Sequence, residues 1–110
     1  MTKNYIRPED CNTMREVRFG VDRLDKKLVN ILAERQRYMT AAARIKNNRD
    51  DVRDAPRIED VINKVLEEAK IQGLSCEIAE TVWRHLIEAS ILYEFKQWDA
   101  INSKKSASYS

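Results

Sequence analysis

Apolar residues recur at steps of three and four along the first part of the chain: Val17, Val21, Leu24, Leu28, Ile31, Tyr38, Ala42 and Ile45. That spacing is the period of a helix with one buried face. No proline occurs between Asn12 and Asn47, so the pattern predicts one helix of about 35 residues. Thr13-Met14-Arg15-Glu16 has the form of a capping box and places the helix start near Met14. The polar run Asn47-Asn48-Arg49-Asp50-Asp51 ends it. Gly20, inside the helix, costs about 1 kcal/mol against alanine, and close packing against a neighbour is the expected reason for it. A second stripe, Ile58, Val61, Ile62, Val65, Leu66 and Ala69, predicts a helix capped by Asp54, with Pro56 in its first turn and Gly73 as its stop. A third runs through Ile78, Val82, His85, Leu86, Ala89, Leu92, Tyr93 and Trp98, capped by Ser75 and ending near Trp98. Residues 1–12 read as an N-terminal arm, 13–101 as one helical domain, and the Ser/Lys-rich stretch 102–110 as a disordered tail.

The length of the first helix carries a consequence. A helix of about 34 residues spans about 51 Å, whereas a compact domain of about 100 residues has a radius of gyration near 13 Å. Two shorter helices leave the ends of so long a stripe uncovered. The pattern therefore predicts an all-α fold with three helices per chain, assembled as an intertwined helical homodimer.

Composition agrees with the helical reading: 35% of residues are charged, with only two glycines and two prolines in 110 residues. The net charge of +2 comes from 20 basic and 18 acidic residues with interleaved signs. No basic block with aromatic interleaving occurs, so nucleic acid is not an expected partner. Cys11, Cys76 and His85 do not supply the four clustered ligands of a zinc site, and no metal is expected. Met1 to Pro8 holds no apolar stretch of the kind a signal peptide needs. No run approaches the roughly 18 apolar residues of a membrane span, so no membrane partner is expected and the cytoplasm is the expected location.

Two cations sit where the first helix should be apolar. Arg35 falls in the stripe between Ile31 and Tyr38, and Lys46 lies eleven residues further on, about 20° round the axis. Cations on a core-facing stripe cost several kcal/mol unless an anion meets them. That anion is either a ligand or a carboxylate such as Glu88 or Glu94 on the third helix. Arginine grips a carboxylate with a planar fork, and lysine places a point charge on one oxygen, so the two suit a small dianion. Arg18 is a third candidate. It stands 17 residues before Arg35, roughly 25 Å along the helix and about 100° round it. It can join the same pocket only across an antiparallel dimer.

The residues Arg18-x3-Asp22-x2-Asp25-x2-Leu28, Leu32-Ala33-Glu34-Arg35, Ala43-x2-Lys46, Val52-Arg53-Asp54 and Arg57 resemble the all-helical chorismate mutases. The resemblance covers Met14 to Trp98. Pro8-Glu9-Asp10-Cys11 and the end of the third helix look more like the related isochorismate pyruvate lyases. The resemblance implies an intertwined dimer with two sites, a small dicarboxylate substrate and no cofactor. It implies that Arg18, supplied by the partner chain, meets one substrate carboxylate and Arg35 the other. Lys46 would bind that second carboxylate and the ether oxygen of the breaking bond. Asp54 would contact the substrate hydroxyl, and Arg57 and Ser90 would line the pocket.

Two positions depart from the mutase pattern. Ile58 stands where many members carry a glutamate that binds the substrate hydroxyl, and a β-branched apolar residue there resembles the lyase group. Glu94 stands where most members have a glutamine that donates to the ether oxygen; a carboxylate donates only when protonated. Attraction to Lys46 favours its ionised form, whereas burial near substrate carboxylates favours the neutral acid. Gln97 is out of register and reads as surface. The implied activity is chorismate mutase, the rearrangement of chorismate to prephenate, which belongs to the shikimate pathway and aromatic amino acid biosynthesis. The alternative is isochorismate pyruvate lyase, which serves salicylate biosynthesis. A remote third reading is a non-catalytic helical dimerisation module. The mutase reaction is pericyclic and needs no nucleophile, metal or general base, so His85 reads as a packed helix residue.

Overall fold

The computed structural model describes residues 5–109, with side chains for residues 5–103. Thr13 and Glu16 form the reciprocal capping box that the sequence predicts. The Glu16 N–H donates to Thr13 Oγ1 at 3.2 Å, and the Thr13 N–H donates to Glu16 Oε1 at 3.0 Å. From this cap α1 runs over Met14–Ile45. Asp54 caps α2, Ala55–Gln72, by accepting from the Arg57 N–H, with Pro56 in the first turn. Gly73, at φ 76°, closes α2 in the left-handed conformation that glycine adopts without a Cβ penalty. Ser75 Oγ accepts from the Ile78 N–H at the start of α3, Cys76–Tyr109. Two short 3-10 turns, Pro8–Asp10 and Arg49–Asp51, complete the described chain.

α3 is longer than its apolar stripe predicts. It passes Trp98 and continues as helix through 102–109, the stretch expected to be a disordered tail. Apart from the stripe, nothing there stops a helix: the segment holds no proline or glycine, and alanine and lysine favour helix. At 34 residues α3 matches the 32 of α1. The premise of two shorter partner helices is therefore corrected for α3.

The chain divides into two units, Met1–Arg37 and Tyr38–Ser110, with α1 passing through the boundary. In the first unit the arm folds onto the start of α1. The Arg23 guanidinium lies 3.5 Å over the Tyr5 ring, and Cys11 Sγ faces the Ile6 carbonyl at 3.8 Å. The apolar stripe of α1 is not covered here: Val17, Val21, Leu24, Leu28 and Ile31 are 38–59% exposed. The one buried residue of α1 is Ala43, which belongs to the second unit. The neighbour expected at Gly20 is not among the described residues, since a Cβ there meets nothing within 4 Å.

The second unit holds the core. Val52, Ile62, Ile87 and Ile91 are buried together, with Ile58, Val61, Leu66, Trp83, Phe95 and Trp98 packed around them. Small residues, Ala69 on α2 and Ala79 on α3, are buried as well and allow close approach. Thr40 Oγ1 and Tyr93 OH lie 2.8 Å apart and tie the end of α1 to α3. His85 is exposed, with Nδ1 2.8 Å from the Thr81 carbonyl, which corrects its reading as a packed residue.

Three arginines then tie α3 to its neighbours through carboxylates. Arg84 bridges to Glu59 of α2 at 3.1 and 3.2 Å. Arg53 grips Glu88 at 2.9 and 2.7 Å, and Arg49 grips Asp99 at 2.8 and 3.1 Å, each with two parallel bonds. These bonds hold the carboxyls of Glu59, Glu88 and Asp99 below their usual range. A depressed folded-state pKa contributes stability that is present above the unfolded value and is lost as the pH falls through the folded one. All three pairs are surface-exposed, so salt screens them. We expect the thermal midpoint, followed by circular dichroism, to fall as the pH is lowered below about 5. The fall should be smaller in Glu88→Gln. An acid response identical in the variant and the parent would remove Glu88 from the cause.

Candidate functional site

Lys46 follows the last turn of α1, and all three of its polar groups are engaged. Its N–H donates to the Ala42 carbonyl at 2.9 Å, and its own carbonyl accepts from Trp98 Nε1 at 3.1 Å. Its Nζ donates to Glu94 Oε2 at 2.8 Å. Glu94 is 4% exposed and is the buried charged residue of the described chain. Its place in α3 explains the burial. Ile87, Ile91, Glu94 and Trp98 follow one another at steps of four, three and four, so the carboxylate stands on the core stripe. A cation in line with the apolar stripe of α1 and a carboxylate on the core stripe of α3 meet each other. Of the partners considered for Lys46 from sequence, the structure shows Glu94; Glu88 pairs with Arg53.

Beside this pair lies an open pocket of about 360 Å³, lined by Lys46, Asp50, Asp51, Arg53, Asp54, Ala55 and Pro56. Asp54 contributes its cap carboxylate to this rim, at the N-terminus of α2, where the helix dipole favours negative charge. Arg57, one turn on, directs its guanidinium along α2 to Asp60, which also accepts from Lys64 at 3.0 Å. Ile58 packs against the core cluster. Ser90 is half-buried and donates to the Leu86 carbonyl at 2.7 Å, a bond to its own helix.

Arg18 and Arg35 belong to the first unit. Arg18 is exposed and Arg35 half-buried. On one continuous helix they stand roughly 25 Å apart, so a single chain does not bring them together. The structure thus joins Lys46 to Glu94 and places Asp54 on the same pocket. Among the described residues no group of histidines, cysteines and carboxylates could hold a metal ion.

Sequence reasoning passed over Trp98, Arg49 and Asp99 as contributors to this region. Their only signal was spacing. Glu94 and Trp98, and likewise Phe95 and Asp99, are four apart and share a helical face. The register that sets those faces against Lys46 and Arg49 is a tertiary fact.

The family model for chorismate mutase type II matches residues 17–95. Among curated proteins, an isochorismate pyruvate lyase of Pseudomonas aeruginosa is 28% identical over 91 residues, covering 83% of this chain and 90% of that protein. The match includes the end of α1 with Lys46, the capped start of α2 and the face of α3 that carries Glu94. With described residues that form helices and no strand, and with its matched length, this chain belongs to the chorismate mutase type II family.

Proposed function

We propose that the protein is a homodimeric chorismate mutase whose site draws on both chains. The observation that carries this reading is the pairing of half-buried Lys46 with buried Glu94 at the rim of an open pocket, within the family-matched region. The rearrangement of chorismate to prephenate is unimolecular. It needs a dianion held in a compact conformer and negative charge stabilised on the ether oxygen as the bond breaks. Lys46 is fixed at backbone and side chain, so it can stabilise that charge with little reorganisation. In this reading Arg35 meets one substrate carboxylate together with Lys46, and Arg18 of the second chain meets the other. Asp54, on the pocket rim, would contact the substrate hydroxyl, and Arg57 and Ser90 would contact the substrate or hold those contacts in place. Ile58 shapes the wall, since its side chain offers no hydrogen bond.

A second copy is supported by the exposed stripe of α1, whose five apolar residues find no cover in the described chain. Antiparallel pairing also removes the 25 Å obstacle, because each end of one α1 then lies beside the opposite region of its partner. Mixing Arg18→Ala with Arg35→Ala protein tests this. In random heterodimers one of two sites is rebuilt, so about a quarter of parental activity should return. No recovery on mixing would mean that both arginines act within one chain.

The lyase reaction is a second reading, favoured by Ile58 and by the Pseudomonas aeruginosa relative. It would use the same cations to cleave isochorismate into salicylate and pyruvate. Supplying chorismate and isochorismate separately and identifying prephenate, or salicylate with pyruvate, distinguishes the two. We expect the higher kcat/KM on chorismate. A higher value on isochorismate would replace the mutase by the lyase, and turnover of neither would end both.

In this reading Glu94 holds the Lys46 ammonium beside the pocket, and Glu94→Gln, a permanent donor for the ether oxygen, tests its part. A kcat unchanged in that variant would remove the carboxylate from the mechanism.

A further inference from the structure

Four residues of α3 hold the segment that carries Lys46, and they act in two adjacent pairs. Glu94 and Trp98 are one turn apart and address the same residue from two sides: the carboxylate takes the Lys46 ammonium, and the indole N–H takes the Lys46 carbonyl. Phe95 and Asp99, each one position on, address Arg49. Its guanidinium lies 4.4 Å over the Phe95 ring and donates through Nε and Nη2 to the two Asp99 oxygens.

Lys46 stands just past the end of a helix, where the last carbonyls have no partner within the helix. Such a residue is ordinarily free to fray. Here its N–H still closes a helical turn on Ala42, while Trp98 satisfies the carbonyl that α1 leaves open. Trp98 is itself anchored, since its ring packs on the Val52–Ile62–Ile87–Ile91 core and its carbonyl accepts from Asn102 Nδ2 at 2.9 Å. The indole can thus fix the Lys46 backbone relative to the core. Arg49, three residues on, pins the other end of the same segment. These holds restrict the Lys46 backbone, and Glu94 holds Nζ at the far end of the side chain.

We infer that Trp98, supported by the Phe95–Asp99 grip on Arg49, is a positioning residue that holds Lys46 in the geometry its chemistry requires. The inference rests on the reading of Lys46 as a substrate-binding cation. In this role Trp98 acts through the lysine backbone. Its contribution lies in orientation, where small displacements of a catalytic group cost large factors in rate.

Trp98→Phe keeps an aromatic ring in the core and deletes the donor. Assayed well below its thermal midpoint on whichever substrate the parent turns over, it should lose about 3- to 10-fold in kcat, the equivalent of one hydrogen bond, with a smaller change in KM. A merely structural tryptophan would lower the midpoint and leave kcat of the folded protein alone. In a Lys46→Ala background the further change Trp98→Phe should leave the residual turnover unmoved, because the group it positions is gone. Equal losses in the two backgrounds would overturn the inference. So would parental kcat in Trp98→Phe when Lys46→Ala is inactive, a result that leaves the mutase reading standing. A parent protein inactive on both chorismate and isochorismate would remove that reading and this inference with it. Should Trp98→Phe not fold, Asp99→Ala on the exposed side of the grip serves in its place. There a kcat lowered about 3-fold supports the clamp, and an unchanged one overturns it.

Discussion

A carboxylate on the core stripe of α3 is the constraint from which the rest of the second unit follows. Glu94 sits in line with Ile87 and Ile91, out of water. An ion there without a partner costs several kcal/mol. Lys46 is that partner, and it lies beyond the last turn of α1, so pairing sets where α1 must end against α3. Once that register is set, Trp98 one turn along reaches the Lys46 carbonyl, and Asp99 reaches Arg49. The segment 46–54 is then held at several points before α2 begins at its Asp54 cap. The charge pair is thus a specifier of arrangement. Its net contribution to stability is small, because desolvation offsets most of the attraction, whereas breaking it by removing one partner costs about 3–5 kcal/mol.

The first unit is governed by a different imbalance. Its helix presents Val17, Val21, Leu24, Leu28 and Ile31 on one side, all substantially exposed in the chain by itself. Each such side chain stabilises by about 1.5–3 kcal/mol on full burial. A stripe of five, continued along one face of a 32-residue helix, is a larger apolar surface than isolated exposed leucines explain. This supports pairing with a second copy. The same geometry separates Arg18 from Arg35 within a chain, so the proposal that both serve one pocket calls for the same assembly as the apolar stripe.

The fold was legible in the sequence to the extent that it depends on local rules. Thr13 and Glu16, Asp54 with Pro56, Gly73 and Ser75 each act through bonds to residues within a turn, and each marks a helix end that the structure contains. The end of α3 was not legible in this way, because the apolar stripe stops at Trp98 and the backbone does not. Nothing in 102–109 breaks a helix, since the segment holds no proline or glycine. In the candidate site, Lys46 was legible as a cation on an apolar stripe, and Glu94 as a departure from the family pattern and one of two carboxylates that could meet it. Their pairing, rather than either charge alone, required the tertiary register. Trp98 and Asp99 were not legible, since a tryptophan on an apolar stripe and an aspartate beyond it look like core and surface.

The substitution of a carboxylate where a neutral amide would serve changes how the proposed site works before substrate arrives. A glutamine at 94 would leave Lys46 with its full positive charge and a conformer free to search for an anion. Glu94 instead satisfies Lys46 in the empty site and holds the ammonium at a fixed point beside the pocket. An incoming dianion must then compete with a resident carboxylate, which weakens ground-state binding. In the proposed rearrangement the transition state differs, because charge would gather on the ether oxygen, and a lysine already in place would stabilise it without first ordering a flexible chain. The indole hold on the Lys46 backbone serves the same end from the other side. In the proposed reading both features exchange some affinity for orientation, the appropriate direction for a rearrangement whose barrier is set by conformer and charge and not by bond-making partners.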